Sequence, residues 1–547
     1  MTKPAVLLAL AALLLLGLFS TELSDPDAWW HLKTGEYIVT HHRLPVPDPF
    51  AYTAFQAKDA YPGERQVRYF NLTHEWLAQA IWYAVERLGG LGAVVLWKAC
   101  LLTALCGLTG LVAKWRTGSV HWGVAAALGA ASLAIEFAHD RPGILSYLFT
   151  AGFIAILEKG RRLWLLPLLA VVWANCHGGF FLGWIVCSAY AAEALWKRSP
   201  AARRLLIVTG LVVLLSGLNP NGFAAIAAVQ RYRSSALQST LIEWSRADLW
   251  GPPYAFDLLL YAAAAALIIS WRRVRLSDWL LFGAFAAAAL SAFRNEMLIG
   301  LLAPILIASY FPWKRALPRL AQLAAAPALA AALAWGIWSG HFFQLRAAEW
   351  RYPAGAAQFL QDHHITAPLF NTYEDGGYLI WRGQGVFIDG RALSESVFQD
   401  YRKILGSPPA DPARAETLAR YGIGAIVLNA FEYNSGVLYP LTLTLARSPD
   451  WKLVYADPQA MVFLRDAPAG IQPLDSRRVI DHLEAECTLH VERDPTFSLC
   501  ARTLGDFFLR SGDRERARRS LALYLAHPYS GQDDPDARRA YLQLLGQ

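Results

Sequence analysis

Cysteine is scarce in this chain: six residues in 547 are too few for a disulfide scaffold. Cys100, Cys106 and Cys187 fall in apolar runs, where a thiol packs as a small hydrophobe, and Cys176 stands at a helix end. Cys487 and Cys500 lie in polar sequence; exported, they could form one bond, whereas in the cytoplasm they would stay reduced. Charge is scarce too, at 17% of residues, against 55% hydrophobic residues, 21 Trp and a mean hydropathy of +0.28, which points to the membrane class. No HExxH, paired CxxC, P-loop or GxGxxG occurs, which argues against a zinc protease, a nucleotide-driven pump and a dinucleotide enzyme. The net charge of +7 does not imply a nucleic-acid partner, because many of the Lys and Arg residues sit in short clusters between apolar runs and report topology instead.

What the chain does hold, from its start to about residue 340, is a series of apolar runs. They cover about 4–20, 91–113, 119–137, 142–158, 163–175, 179–196, 204–218, 254–270, 276–293, 296–311 and 319–339, predicting about eleven spans. With a cytoplasmic N-terminus, the inward loops carry Lys114 and Arg116; Lys159, Arg161 and Arg162; Lys197, Arg198, Arg203 and Arg204; Arg272, Arg273 and Arg275; and Lys314, Arg315 and Arg319. The short outward loops hold one cation each, Arg141 and Arg294, so the alternation obeys the positive-inside rule.

This orientation gathers the polar clusters on the outward face: Asp25, Asp27 and His31; His74 and Glu75; His139, Asp140 and Arg141; Asn175 and His177; Asn219 and Asn221; Arg294, Asn295 and Glu296. The inward loops contain little beyond Lys and Arg. Ionisable groups at a helix mouth are costly to desolvate, which makes Ser24-Asp-Pro-Asp-Ala-Trp-Trp-His-Leu32 the default candidate for a reacting site. The bland alternative is an aromatic belt beside a turn. A carboxylate there gains basicity that suits a general base, with Asp27 chosen, Asp25 second, and Glu75 or Asp140 assisting. Asp25, Asp27 or Asp140 could also hold a divalent cation, Mg or Mn. Arg141 and Arg294 could grip a phosphate by their guanidinium forks or snorkel to headgroups. His177, in Asn175-Cys-His-Gly-Gly179, reads as a polar cap or substrate contact more readily than as a metal ligand. His31, His74, His139, Asn175 and Glu296 complete the candidate substrate contacts.

The polar loop over 21–76 is too rich in Pro for one helix, but Ala28 to Thr40 suits a helix lying in the interface, and Thr73 to about Leu88 a second amphipathic helix. Beyond 340 the chain reads as soluble. Helices near 353–364, 395–405, 411–420 and 437–447 alternate with strand-like runs at 369–370, 386–388, 425–428, 451–455 and 461–464, predicting a small α/β domain over 341–467 outside the cytoplasm. Within it, Asn371 to Trp381 and Phe387 to Arg391 suit either sugar stacking or a turn network docking this domain on the membrane part. Residues 468–547 form a helical tail in which Leu504 to Ala517 resembles a tetratricopeptide hairpin, a possible protein-partner site.

On these residues the chain resembles the GT-C superfamily of polytopic glycosyltransferases over about 1–340. The likeness rests on Asp25 and Asp27 just after the first helix, a long first outward loop (21–90) with amphipathic helices, and Asp140 and Arg141 in the second outward loop. It is closest to bacterial members carrying segments like Asp25–Leu32, His74–Leu77, Asn175–Gly179 and Gly376–Trp381. The fold expected is therefore mainly α, a GT-C-like bundle with a C-terminal α/β domain and a TPR-like tail, in a bacterial inner membrane. The resemblance implies transfer of a sugar from a polyprenyl-phosphate donor to a glycan, lipid or protein acceptor on the periplasmic face, with inversion, Asp27 or Asp25 catalytic and the Arg residues on the carrier phosphate. Two other classes compete. A lipid or glycan transporter would need polar groups at mid-membrane depth in matching halves, which the sequence lacks. A non-catalytic scaffold would use the tail for partners.

Overall fold

The computed structural model describes residues 4–56, 58–233, 242–249, 254–311, 319–409, 411–529 and 533–546. Lys314 and Arg315, counted above as inward cations, lie outside the described residues. The chain forms two compact units, one of residues 1–46 and 63–347, the other of 47–62 and 348–547. A piece of the first polar loop thus folds with the C-terminal part, and the α/β segment and the helical tail fall in one unit.

The first unit is all helical among its described residues. Its helices are α1 (Pro4–Phe19), α2 (Asp27–His41), α3 (Glu64–Thr73), α4 (Trp76–Thr117), α5 (Val120–Ala134), α6 (Gly143–Lys159), α7 (Leu165–Cys176), α8 (Phe181–Trp196), α9 (Ala202–Leu215), α10 (Ala224–Arg233), α11 (Ala255–Ile269), α12 (Leu276–Ser291), α13 (Met297–Tyr310) and α14 (Arg319–Trp338). Among the described residues three helical stretches are long and apolar enough to cross a membrane, 64–117, 178–196 and 319–338, and five shorter apolar helices accompany them. The expected count of eleven spans is therefore not reproduced by length; several apolar helices stop at 12 to 16 residues. Exposed Trp164, Trp196 and Trp271 stand beside basic loops, as interfacial indoles do.

The helix expected over 28–40 spans 27–41, buries Trp29, Trp30, His31, Leu32 and Ile38 on one face and packs that face on α4. The second amphipathic helix does not open at Thr73; α3 ends there and α4 begins at Trp76. It runs into the apolar helix through a break at Gly89 and Gly90, where Gly90 takes φ +65°, a conformation open to a residue without Cβ. The basic ends are not bare cations. Arg116 donates to Asp278 (3.0 Å) and Glu158 (2.8 Å), Arg275 donates to Glu158 (2.8 and 2.9 Å), and Tyr190 donates to Glu158 (2.9 Å). Arg116 and Arg275 thus lock α4, α6, α8 and α12 together instead of only tethering loops.

The second unit builds a four-stranded sheet of β1 (Leu369–Asn371), β2 (Ala425–Leu428), β3 (Lys452–Ala456) and β4 (Met461–Leu464) in the order β1-β2-β4-β3. β1 and β2 run parallel, and β4 pairs antiparallel with β2 and β3. All residues of β1, β2 and β4 are buried, the pattern of strands covered on both faces. The helices are α15 (Ala354–Asp362), α16 (Gly376–Trp381), α17 (Glu395–Gly406), α18 (Pro412–Arg420), α19 (Pro440–Arg447), α20 (Arg478–Arg493), α21 (Leu499–Ser511), α22 (Arg514–Ala526) and α23 (Pro535–Leu545). The run 386–388 is not a sheet strand; Val386 makes only an isolated bridge to Ala51. The tail pairs α21 with α22 through Gly512, and Cys487 and Cys500 join α20 to α21.

Candidate active site

Asp27 opens α2 and Asp25 precedes it by one turn residue, so Pro26 holds both at the helix mouth. Asp25 Oδ1 accepts the backbone N–H of Asp27 (3.0 Å), and Asp27 Oδ1 accepts the Trp30 indole N–H (2.9 Å). Each carboxylate is thereby oriented by its own strand of chain, and the remaining oxygens turn to one guanidinium. Arg141, from the α5–α6 loop, places Nε 2.9 Å from Asp25 Oδ2, Nη1 2.8 Å from Asp27 Oδ2 and Nη2 2.7 Å from Glu243 Oε1. Glu243 also lies 3.6 Å from Arg294, whose guanidinium covers Trp244. The segment before α2 and the α5–α6 loop are thus in direct contact, and His139 approaches Asp25 at 3.8 Å.

The environment pushes the two aspartates apart. Burial raises Asp25, but Arg141 and His139 outweigh it and hold the carboxyl below the usual range. Burial raises Asp27 too; Arg141 opposes, the neighbouring Asp25 charge adds to the rise, and the carboxyl is pushed up to about 7. The two acids thus differ in proton affinity, Asp25 on the low side and Asp27 near neutral pH, which is the kind of separation that divided acid–base roles require. The His139 side chain keeps 45% of its surface open, while desolvation and the nearby Arg141 charge depress its imidazole.

One turn further along α2, His31 begins a second cluster around Glu75. Glu75 Oε2 lies 3.7 Å from His31, and Oε1 lies 3.5 Å from His74 and 3.7 Å from His177. Burial alone would raise the Glu75 carboxyl, but His74 and His31 hold it well below the ordinary range. Burial pushes His31 down to about 4 and His177 to about 3. His177 Nδ1 accepts the Gly179 N–H (3.1 Å), so the Ser146 hydroxyl 2.6 Å away donates to the same atom and Nε2 carries the proton toward Glu75. Trp173 in turn donates to Ser146 (2.8 Å). The His-Gly-Gly sequence follows from this crowding: a Cβ on Gly179 would meet Ser146 Oγ at 2.6 Å, and one on Gly178 would meet Phe70 at 2.9 Å.

Other candidates sit elsewhere or are otherwise engaged. Asn175 accepts from Trp76 Nε1 (2.8 Å) and donates to Val171 and Leu218, tying three segments together. Asp140 pairs with Lys98 at 2.9 Å. Glu296 is fully buried and accepts from Tyr254 (2.6 Å). A divalent cation between Asp25 and Asp27 does not fit this arrangement, because the Arg141 guanidinium already bridges them. Among the described residues no three His, Cys, Asp or Glu side chains gather as a metal site. Sequence reasoning missed Glu243, Ser146, Trp173 and Lys98. Glu243 carried a signal, an acid in the polar segment between the apolar runs 204–218 and 254–270, while Ser146 and Lys98 looked like ordinary residues of apolar runs.

In the second unit the glycine-rich patch is spent on internal bonds. Asn371 accepts from Phe387 N (2.9 Å) and donates to Ile388 O (2.8 Å), while buried Arg391 donates to Asp389 and Asp48 (both 2.7 Å).

Fold and site together define a helical, membrane-class chain with an acid-arginine cluster at one end of its bundle. No family model and no curated protein matches the chain. Among solved structures it is similar to the Archaeoglobus fulgidus oligosaccharyltransferase in the apo form, at 11% identity and a TM-score of 0.49, over 86% of this chain and 75% of that one. It is similar to the same enzyme tethered with an acceptor peptide containing the NVT sequon, at 11% identity and 0.49, over 85% and 74%.

Proposed function

We propose that the protein is a GT-C-type membrane glycosyltransferase that moves a sugar from a polyprenyl-phosphate donor to an acceptor on the periplasmic face. The observation that carries this reading is the convergence of Asp25, Asp27 and Arg141 from two separate loops, with Asp27 set near 7. In the reaction, the acceptor hydroxyl or amide gives its proton to the Asp27 carboxylate and attacks the anomeric carbon. The bond from that carbon to the phosphate oxygen breaks, the phosphate leaves with the electron pair, and the configuration inverts. Arg294, on the far side of Glu243 from Arg141, takes the phosphate charge when Glu243 gives way. Asp25 stays ionised and keeps Arg141 in place.

The test is sugar transfer by the purified protein in liposomes with a polyprenyl-phosphate-linked sugar. Transfer unchanged in both Asp25→Ala and Asp27→Ala would overturn the assignment.

A further inference from the structure

Lys98 lies within the apolar part of α4, yet it is 1% exposed and makes three polar contacts. Its ammonium is 2.9 Å from Asp140 Oδ1, and it donates to the Thr21 carbonyl (3.1 Å) and the Thr21 hydroxyl (3.2 Å). The other Asp140 oxygen accepts the Ser24 backbone N–H (3.2 Å). Two donor hydrogens go to Thr21, and the ammonium charge is paired by the Asp140 carboxylate. Asp140 is likewise 1% exposed, so the pair is closed to solvent and to substrate.

The chain positions explain what such a pair does. Thr21 and Ser24 lead into Asp25 and Asp27, and Asp140 immediately precedes Arg141. One buried ion pair therefore fixes the first outward loop against the second at the residues adjoining the Asp25–Arg141–Asp27 contacts. A charge buried at a membrane helix is expensive unless it is paired, and such residues mark functional sites more often than structural ones. A snorkelling lysine would extend to water, whereas this one ends on a carboxylate and the first-loop backbone.

We propose that Lys98 and Asp140 form one positioning pair that sets the geometry of Asp27 against Arg141, and that Asp140 acts through Lys98 and the first loop rather than on substrate. This rests on the transferase reading above. Displacing catalytic groups by about 1 Å costs about 100-fold in rate. The pair therefore bears on kcat more than on donor KM.

The experiment is a double-mutant cycle in the liposome transfer assay with full-length protein: Lys98→Met, Asp140→Asn and both together, with Asp27→Asn as control. The double variant removes both charges and leaves no uncompensated ion. The expected result is that all three lose about 100-fold in kcat, within about threefold of one another, with donor KM changed by less than about threefold. Wild-type kcat in Lys98→Met or in the double variant overturns the proposal, as does a loss in Asp140→Asn more than tenfold beyond that in Lys98→Met, since Asp140 would then act directly. If Lys98→Met and the double variant fail to accumulate, Asp140→Asn alone is read in the same assay, and wild-type kcat there overturns it. No sugar transfer by the wild-type protein instead overturns the transferase reading, and an active Asp27→Asn overturns Asp27 as the base; both are distinguishable from these outcomes.

Discussion

Nη1 of Arg141 lies 2.8 Å from Oδ2 of Asp27, a contact that spans 114 residues of sequence and closes the segment before α2 onto the α5–α6 loop. The same guanidinium holds Asp25 through Nε, so two carboxylates of like charge stand side by side on one cation. Replacing Arg141 by Lys keeps one charge but cannot bridge three carboxylates with a planar fork. Arg141→Lys is expected to lose transfer by at least tenfold and Arg141→Ala by more, with the pair read by donor-dependent product formation.

Asp27→Asn removes the proton acceptor while leaving the shape of the side chain. Loss of a positioned general base costs about 100-fold to 10,000-fold in rate. Donor binding, followed by mass spectrometry of the detergent-solubilised protein, should persist. Retained turnover would place the base elsewhere.

The pH dependence follows from the raised Asp27 carboxyl. A base works only when deprotonated, so kcat/KM is expected to climb with an ascending limb centred near 7. Stability moves the other way. Between the unfolded value of 3.8 and about 7 the folded chain holds a proton that the unfolded chain has released, so this group lowers stability as pH rises through that window. Asp27→Asn should flatten both trends, as read by rate profiles and thermal unfolding from pH 5 to 8.

Gly179→Ala would drive a methyl against Ser146 Oγ and Cβ, at 2.6 and 3.1 Å. Overpacking of this kind costs about 1–3 kcal/mol. Gly152→Ala, on α6 where an added Cβ meets nothing within 4 Å, is expected to be neutral or stabilising. Thermal unfolding in detergent separates the two.

Glu158→Gln strips the acid that Arg116, Arg275 and Tyr190 share. Breaking a buried pair on one side costs about 3–5 kcal/mol; Glu158 and Arg275 are partly exposed, so the loss should fall below that range. A lowered midpoint of unfolding with kcat intact in the folded fraction is the expected outcome.

In the second unit, Cys487 and Cys500 close a loop of thirteen residues' separation. Cross-linking a loop of that length is worth about 3 kcal/mol. The Cys487→Ala, Cys500→Ala double variant, or treatment with reductant, should lower the unfolding midpoint by a corresponding amount, measured by calorimetry.

The amino-acid sequence by itself determined the broad division into an apolar first part and a polar second part, and most helix positions in the second, because hydrophobic content and periodicity are local properties. It also singled out Asp25, Asp27, Arg141 and Glu75, since ionisable groups beside apolar helices carry a solvation cost that is visible residue by residue. Tertiary structure alone decided which charges meet. Lys98 and Ser146 look like packing residues in a linear reading, and Arg116 and Arg275 look like loop tethers, because an ion pair depends on distance in space and its partners lie far away in the chain. The identity of the groups around Asp27, and hence its proton affinity, is set by that packing, as burial and neighbouring charge act through space and leave no trace in sequence order.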